Sequence, residues 1–106
     1  MPRFLLKASY SPEGAKGLIK DGGTARRAAV TKMVEGLGGR VESFDYALGE
    51  DDAYVIVELP DSTTAVAISM TINATGAVGL KTVELLTPEE IDAAAKKSVD
   101  YRAPGG

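Results

Sequence analysis

The chain has 106 residues, 44% hydrophobic and 25% charged, with 12 Lys and Arg against 15 Asp and Glu for a net charge of −3. That balance describes one folded domain, since domains usually hold about 100–150 residues, and it excludes wholesale disorder. The absence of Cys and His excludes disulfides, thiolate or imidazole metal sites, His-ligated haem and every Ser-His or Cys-His nucleophile.

The net charge offers no broad attraction to nucleic acid or anionic lipid, so neither is an expected partner. No run approaches the ~18 apolar residues of a membrane span. Met1-Pro2-Arg3 leads straight into an apolar segment without the h-region of a secretory signal. A cytoplasmic protein is the expectation.

Residues 3–10, from Arg3 to Tyr10, read as a mostly buried strand, too short for a helix of that hydrophobicity. Ser11-Pro12-Glu13 supplies an N-cap, a proline at the first helical position and an acid at the helix's positive end. Leu18 and Ile19 give this helix a small apolar face, Asp21-Gly22-Gly23 interrupts it, and Thr24 can cap a restart. Val30, Met33, Val34 and Leu37 then follow at i, i+3, i+4 and i+7, one face of an amphipathic helix ended by Gly38-Gly39. Arg40 to Leu48 alternates loosely, and Gly49-Glu50-Asp51 reads as a turn. Asp52 to Leu59 is the clearest strand, with Ala53, Val55, Val57 and Leu59 facing one way.

Pro60-Asp61 stops that strand and caps a helix whose Ala65, Ile68 and Ile72 share a face, closed by Gly76. Val78 to Leu86 is the fourth strand. Thr87-Pro88-Glu89-Glu90 combines a capping box with proline at N1 and opens a short helix with Ile91, Ala94 and Ala95 on its apolar side. Residues 98–106 are expected to fray, leaving 1–97 as a single domain. The order β-α-β-β-α-β plus a short helix predicts a ferredoxin-like α+β fold: a four-stranded antiparallel sheet with both main helices on one face.

Gly38-Gly39-Arg40-Val41, Phe44 to Asp52 and Val55-Ile56-Val57-Glu58-Leu59-Pro60-Asp61 together resemble the GYD-domain family. Tyr10-Ser11-Pro12-Glu13-Gly14 is similar to the family's Thr-x-x-Gly start to the first helix. Gly76-Ala77-Val78 with Thr82 is similar to its Gly-Asn-Val…Thr entry into the fourth strand. The resemblance covers roughly residues 3–90. It implies a dimeric α+β barrel, a class that includes cofactor-free monooxygenases, small-ring isomerases and haem enzymes, so it implies no single reaction. The sequence departs from the family pattern at Asp51, which stands in place of the name-giving tyrosine, and at Asp45, Ala77 and Gly79.

Alternation assigns a helix-free face to the sheet: Leu5, Lys7 and Ser9; Phe44, Tyr46 and Leu48; Tyr54, Ile56 and Glu58; Leu80, Thr82 and Glu84. Leu5, Phe44, Tyr46, Leu48, Tyr54, Ile56 and Leu80 are too apolar and contiguous for a monomer's surface. They are expected to form the interface of a homodimer, or of a ring of such dimers, with Lys7 pairing with Glu58 or Glu84. The same face offers Tyr46, Tyr54, Glu58, Lys7, Thr82 and Glu84 as candidates to bind a small apolar or aromatic ligand between sheet and partner. Glu58 is the one catalytic candidate, a carboxylate that burial could turn into a general base.

Glu50, Asp51 and Asp52 lack EF-hand spacing and read as a solvated acidic turn, Asp52 accepting from its own loop's N–H groups. No metal or other cofactor is expected. Arg26-Arg27 reads as solvated or in intersubunit ion pairs, and Asn73 as a surface residue. Three functions follow: a small-molecule-binding homo-oligomer, a cofactor-free enzyme acting on an activated carbon acid, and a purely structural or regulatory oligomer.

Overall fold

A computed structural model describes residues 1–106. Its elements in chain order are β1 (Arg3–Tyr10), α1 (Pro12–Asp21), α2 (Gly23–Gly36), β2 (Arg40–Tyr46), β3 (Ala53–Glu58), α3 (Ser62–Ala74), β4 (Val78–Leu85) and α4 (Pro88–Ala95). Three helix starts use the side chains expected of them. Ser11 Oγ accepts from Gly14 N at 3.1 Å, Asp61 Oδ1 from Thr64 N at 2.8 Å, and Thr87 Oγ1 from Glu90 N at 3.1 Å. The restart after α1 differs from expectation. Gly22, at φ +88, turns the chain directly into α2 with no side-chain cap, and Thr24 lies inside the helix. Glycine tolerates that φ without strain, so no capping side chain is needed to change the helix direction.

The strands form one antiparallel sheet in the order β2-β3-β1-β4, as the ferredoxin-like reading requires. Phe4 and Leu6 of β1 and Val55 and Val57 of β3 meet Val34 of α2 and Ala65 and Ile68 of α3 in the main core. The helices thus cover one face only.

On β1 and β3 alternation assigns the faces correctly: Leu5 stands opposite Ile56, and Lys7 opposite Tyr54, on the uncovered side. On β2 and β4 it assigns them backwards. A bulge between Val41 and Ser43 inserts an extra residue, so Phe44 pairs with Val55 and Tyr46 with Ala53, on the helix side. One added residue reverses the parity of everything after it. Leu48 lies beyond β2, fully exposed.

On β4 both parities carry two aliphatic residues, so pattern alone does not choose between them. Pairing with β1 decides: Leu80, Thr82 and Glu84 oppose Ala8, Leu6 and Phe4 on the helix side. Lys81, Val83 and Leu85 take the uncovered face. Asn73, exposed as expected, closes part of this edge strand. Its Nδ2 donates to Leu80 O at 3.1 Å and its Oδ1 accepts from Leu80 N at 2.7 Å. Edge strands commonly have their unpaired backbone groups covered in some such way.

The radius of gyration is 17.0 Å and the extents are 56 × 33 × 24 Å, well beyond the ~13 Å radius of a compact domain this size. The excess lies at the C-terminal end. α4 buries no residue, and Leu86, Ile91, Val99 and Tyr101 are all exposed.

Candidate functional site

Two surfaces carry chemistry, one on each side of the sheet. On the helix side, β1 ends at Tyr10, whose ring faces the helices beside Val78. α1 is drawn against the start of β4 because Ser11 N and Ser11 Oγ both donate to Ala77 O, at 2.9 and 3.1 Å. Gly14 allows this approach, since a Cβ there would lie 2.1 Å from the same oxygen. Between α1, the first turn of α2 and the α3–β4 turn lies a cleft of about 330 Å³, with Tyr10, Glu13, Gly17, Asp21, Arg26 and Thr75 in its walls.

Beside the cleft, between sheet and helices, is a throat of about 30 Å³; of its 12 lining residues 11 are hydrophobic and the other is Arg26. Tyr10, Arg26, Ile72 and Val78 line both spaces. Phe44 stands in the throat, with its ring 5.3 Å from that of Tyr46. Tyr46 Oη donates to Gly23 O at 3.0 Å and so ties β2 to the start of α2. Burial, followed by the nearness of Tyr10, raises the Tyr46 hydroxyl above its ordinary pKa, while Arg26 and Arg27 oppose the rise.

Arg26 is half-buried and its guanidinium has no carboxylate within ion-pairing distance. Arg26 thus has no ion pair within the chain, and Arg27 is exposed. Glu13, on the cleft wall, pairs instead with Lys16 at 3.5 Å, both side chains largely exposed.

On the uncovered side, an apolar strip of Leu5, Ile56, Val83 and Leu85 runs across three strands. Ion pairs bound it at one end: Arg3 Nε donates to Glu42 Oε2 at 2.8 Å, and Arg40 holds both Glu42 and Glu58. Glu58 is thus engaged by Arg40, and neither it nor Glu84 pairs with Lys7. Glu84 accepts from Ser62 Oγ at 3.2 Å on the opposite face.

At the other end the acidic turn is only partly solvated: Glu50 is exposed, but Asp51, contrary to expectation, is buried. Asp51 is 5% exposed and accepts from Ser9 Oγ at 2.9 Å, with Lys81 Nζ at 3.6 Å. Asp52 Oδ2 accepts from Tyr10 N at 2.8 Å, across the sheet end rather than within its own loop. The residue in the place of the family tyrosine therefore locks the β2–β3 connection onto β1.

The six candidate ligand residues consequently divide. Lys7, Tyr54 and Glu58 share the uncovered face. Tyr46 lies beside the cleft, while Thr82 and Glu84 line a separate shallow depression between α3 and β4, where Thr82 Oγ1 is buried without a partner. Alternation misses Tyr10, Gly17, Arg26 and Thr75. The available signal was Gly14 and Gly17 three apart on a short helix, one helical face left without side chains.

Compared with known proteins, residues 4–95 match the family model described as GYD domain. No curated protein and no solved structure matches the chain significantly. The chain belongs to the GYD-domain family.

No helix is long and apolar enough to cross a membrane.

Proposed function

We propose that this GYD-domain protein is a cytoplasmic homodimer, packed sheet against sheet, whose protomers each bind a small apolar or aromatic molecule in the helix-side cleft. The observation that carries the binding reading is a cleft of about 330 Å³ that adjoins the apolar core at Tyr10, Arg26, Ile72 and Val78. A cleft whose walls combine Arg26 and Thr75 with Leu18, Ile72 and Val78 suits a ligand with one polar end. This moves the ligand from the sheet–partner space expected from alternation to the opposite side of the sheet. Proton-transfer chemistry at Glu58 loses its support, because Arg40 already holds the carboxylate.

Assembly is argued from the uncovered face. Leu5, Ile56, Val83 and Leu85 adjoin one another there, and no helix lies over them. Burying ~500 Å² of apolar surface at about 25 cal/mol/Å² is worth on the order of 12 kcal/mol. Association costs roughly 4–15 kcal/mol, so the sheet face supports a dimer with little to spare, and the exposed α4 is available to add contact.

Native mass spectrometry of freshly purified protein tests both parts, with a dimer carrying a retained small molecule as the expected species. Ile56→Lys should yield a monomer, because two-fold packing would place two unpartnered lysines in the dry centre. A wild-type monomer at micromolar concentration, or an Ile56→Lys dimer, would sink the assembly.

A further inference from the structure

We infer that the cleft selects a small monocarboxylate, its carboxylate group taken by Arg26 and its apolar or aromatic body lying in the cleft. This rests on the cleft-binding reading above and adds the charge of the ligand. A guanidinium carries five N–H donors in a planar fork that matches a carboxylate in bidentate fashion. Arg26 is half-buried where cleft and throat meet, yet no acidic side chain of the chain reaches it. Its donors are left for water or for an acceptor brought from outside. The Tyr10 ring lines the same junction.

Charge and size limit the ligand further. Glu13 and Asp21 stand on the wall of the cleft and Arg26 is its one cation. A single negative charge placed at Arg26 is attracted, whereas a second would meet the two acids, so phosphate esters and dicarboxylates are disfavoured. A space of about 330 Å³ lies at the small end of ligand sites and suits a body of one ring. Arg26 stands where cleft and throat meet, and the throat of about 30 Å³ is too small for a ring, which fixes the orientation: charged end at Arg26, apolar body along the cleft.

Gly17 provides a way to close the cleft without disturbing the fold. It lines the cleft within α1, and a Cβ at this position would meet nothing within 4 Å. A larger side chain there grows into empty space, and any residue other than proline suits the helix better than glycine.

The experiment uses the full chain and three probes of one shape: phenylacetate, 2-phenylethanol and 2-phenylethylamine. Binding is followed by NMR titration, which reads the weak affinities of such fragments. Phenylacetate should bind at least tenfold more tightly than the alcohol, and the amine least. Arg26→Gln should bring phenylacetate down to the level of the alcohol, and Arg26→Lys should recover part of the difference. Gly17→Leu should weaken phenylacetate and alcohol together by tenfold or more, with thermal unfolding unchanged or raised. Equal binding of acid and alcohol, or an unchanged ratio in Arg26→Gln, overturns the carboxylate assignment and leaves the cleft reading intact. Failure of all three probes to bind, or binding indifferent to Gly17→Leu, overturns the cleft reading and the assignment with it.

Discussion

Gly14 and Gly17 sit three residues apart on α1, and replacing each by alanine should change stability in opposite directions. At Gly14 the new Cβ would fall 2.1 Å from Ala77 O, 3.0 Å from Ala77 C and 3.3 Å from Tyr10 Cδ1. Two of these atoms are backbone, so relief requires α1 to move away from β4 by about 1 Å to restore ordinary contact distance. That movement stretches both hydrogen bonds from Ser11 to Ala77 O, each worth about 1 kcal/mol. It also disturbs the Ser11 cap on Gly14 N, worth about 1 kcal/mol. Set against these losses is about 1 kcal/mol of helix propensity gained by alanine. The net expectation is a loss of about 2 kcal/mol.

At Gly17 the propensity gain stands alone, because the Cβ meets nothing within 4 Å. Gly17→Ala should therefore stabilise by about 0.5–1 kcal/mol. Urea unfolding at fixed protein concentration measures both. With a slope of about 1.5 kcal/mol/M, the midpoint should fall by ~1.3 M for Gly14→Ala and rise by ~0.5 M for Gly17→Ala. If Gly14→Ala unfolds with the wild type, or if both variants lose stability equally, the close approach of α1 to β4 is not what holds this end of the fold.

The buried Asp51 should depend more on Ser9 than on Lys81. Ser9→Ala removes a charge-assisted hydrogen bond at 2.9 Å and should cost about 1.5–3 kcal/mol, whereas Lys81→Ala, at a side chain 62% exposed, should cost under about 1 kcal/mol; the reverse ranking in urea unfolding refutes this. The Asp61 carboxyl is held below its ordinary pKa by the side-chain hydrogen bond from Thr64 and then by the backbone one. A pKa lowered by folding gives stability that is present above the unfolded value of ~3.9 and is lost as pH falls through the folded value, so Asp61→Asn should flatten the acid limb of the stability–pH curve; an unchanged limb counts against the cap. Removing residues 87–106 deletes α4, which is too short to persist by itself in water and buries nothing in the protomer. Sedimentation equilibrium should show the dimer weakened at least tenfold, and an unaltered dissociation constant would exclude α4 from assembly.

Where a feature depended on a few neighbouring residues, the sequence by itself determined it. The Ser11, Asp61 and Thr87 caps and the Gly22 break set helix boundaries through contacts within one turn of chain. The apolar alternation of Ala53, Val55, Val57 and Leu59 fixed which side of β3 is inward, since all four are buried. From those elements and their short connections the ferredoxin-like sheet followed.

Tertiary structure decided whatever depended on partners distant in sequence. The bulge at Glu42 turned Phe44 and Tyr46 toward the helices, and pairing with β1 turned Leu80, Thr82 and Glu84 the same way. Neither choice is visible in a strand whose two faces are nearly equally apolar, because its own side chains barely distinguish them. The cleft lay further out of reach. Tyr10, Gly17, Arg26 and Thr75 belong to a strand end, two helices and a turn, and nothing local to any of them requires the other three. They come together because Gly14 lets α1 lie against Ala77, where Ser11 bonds to a carbonyl 66 residues away in the chain that only the folded sheet brings within reach.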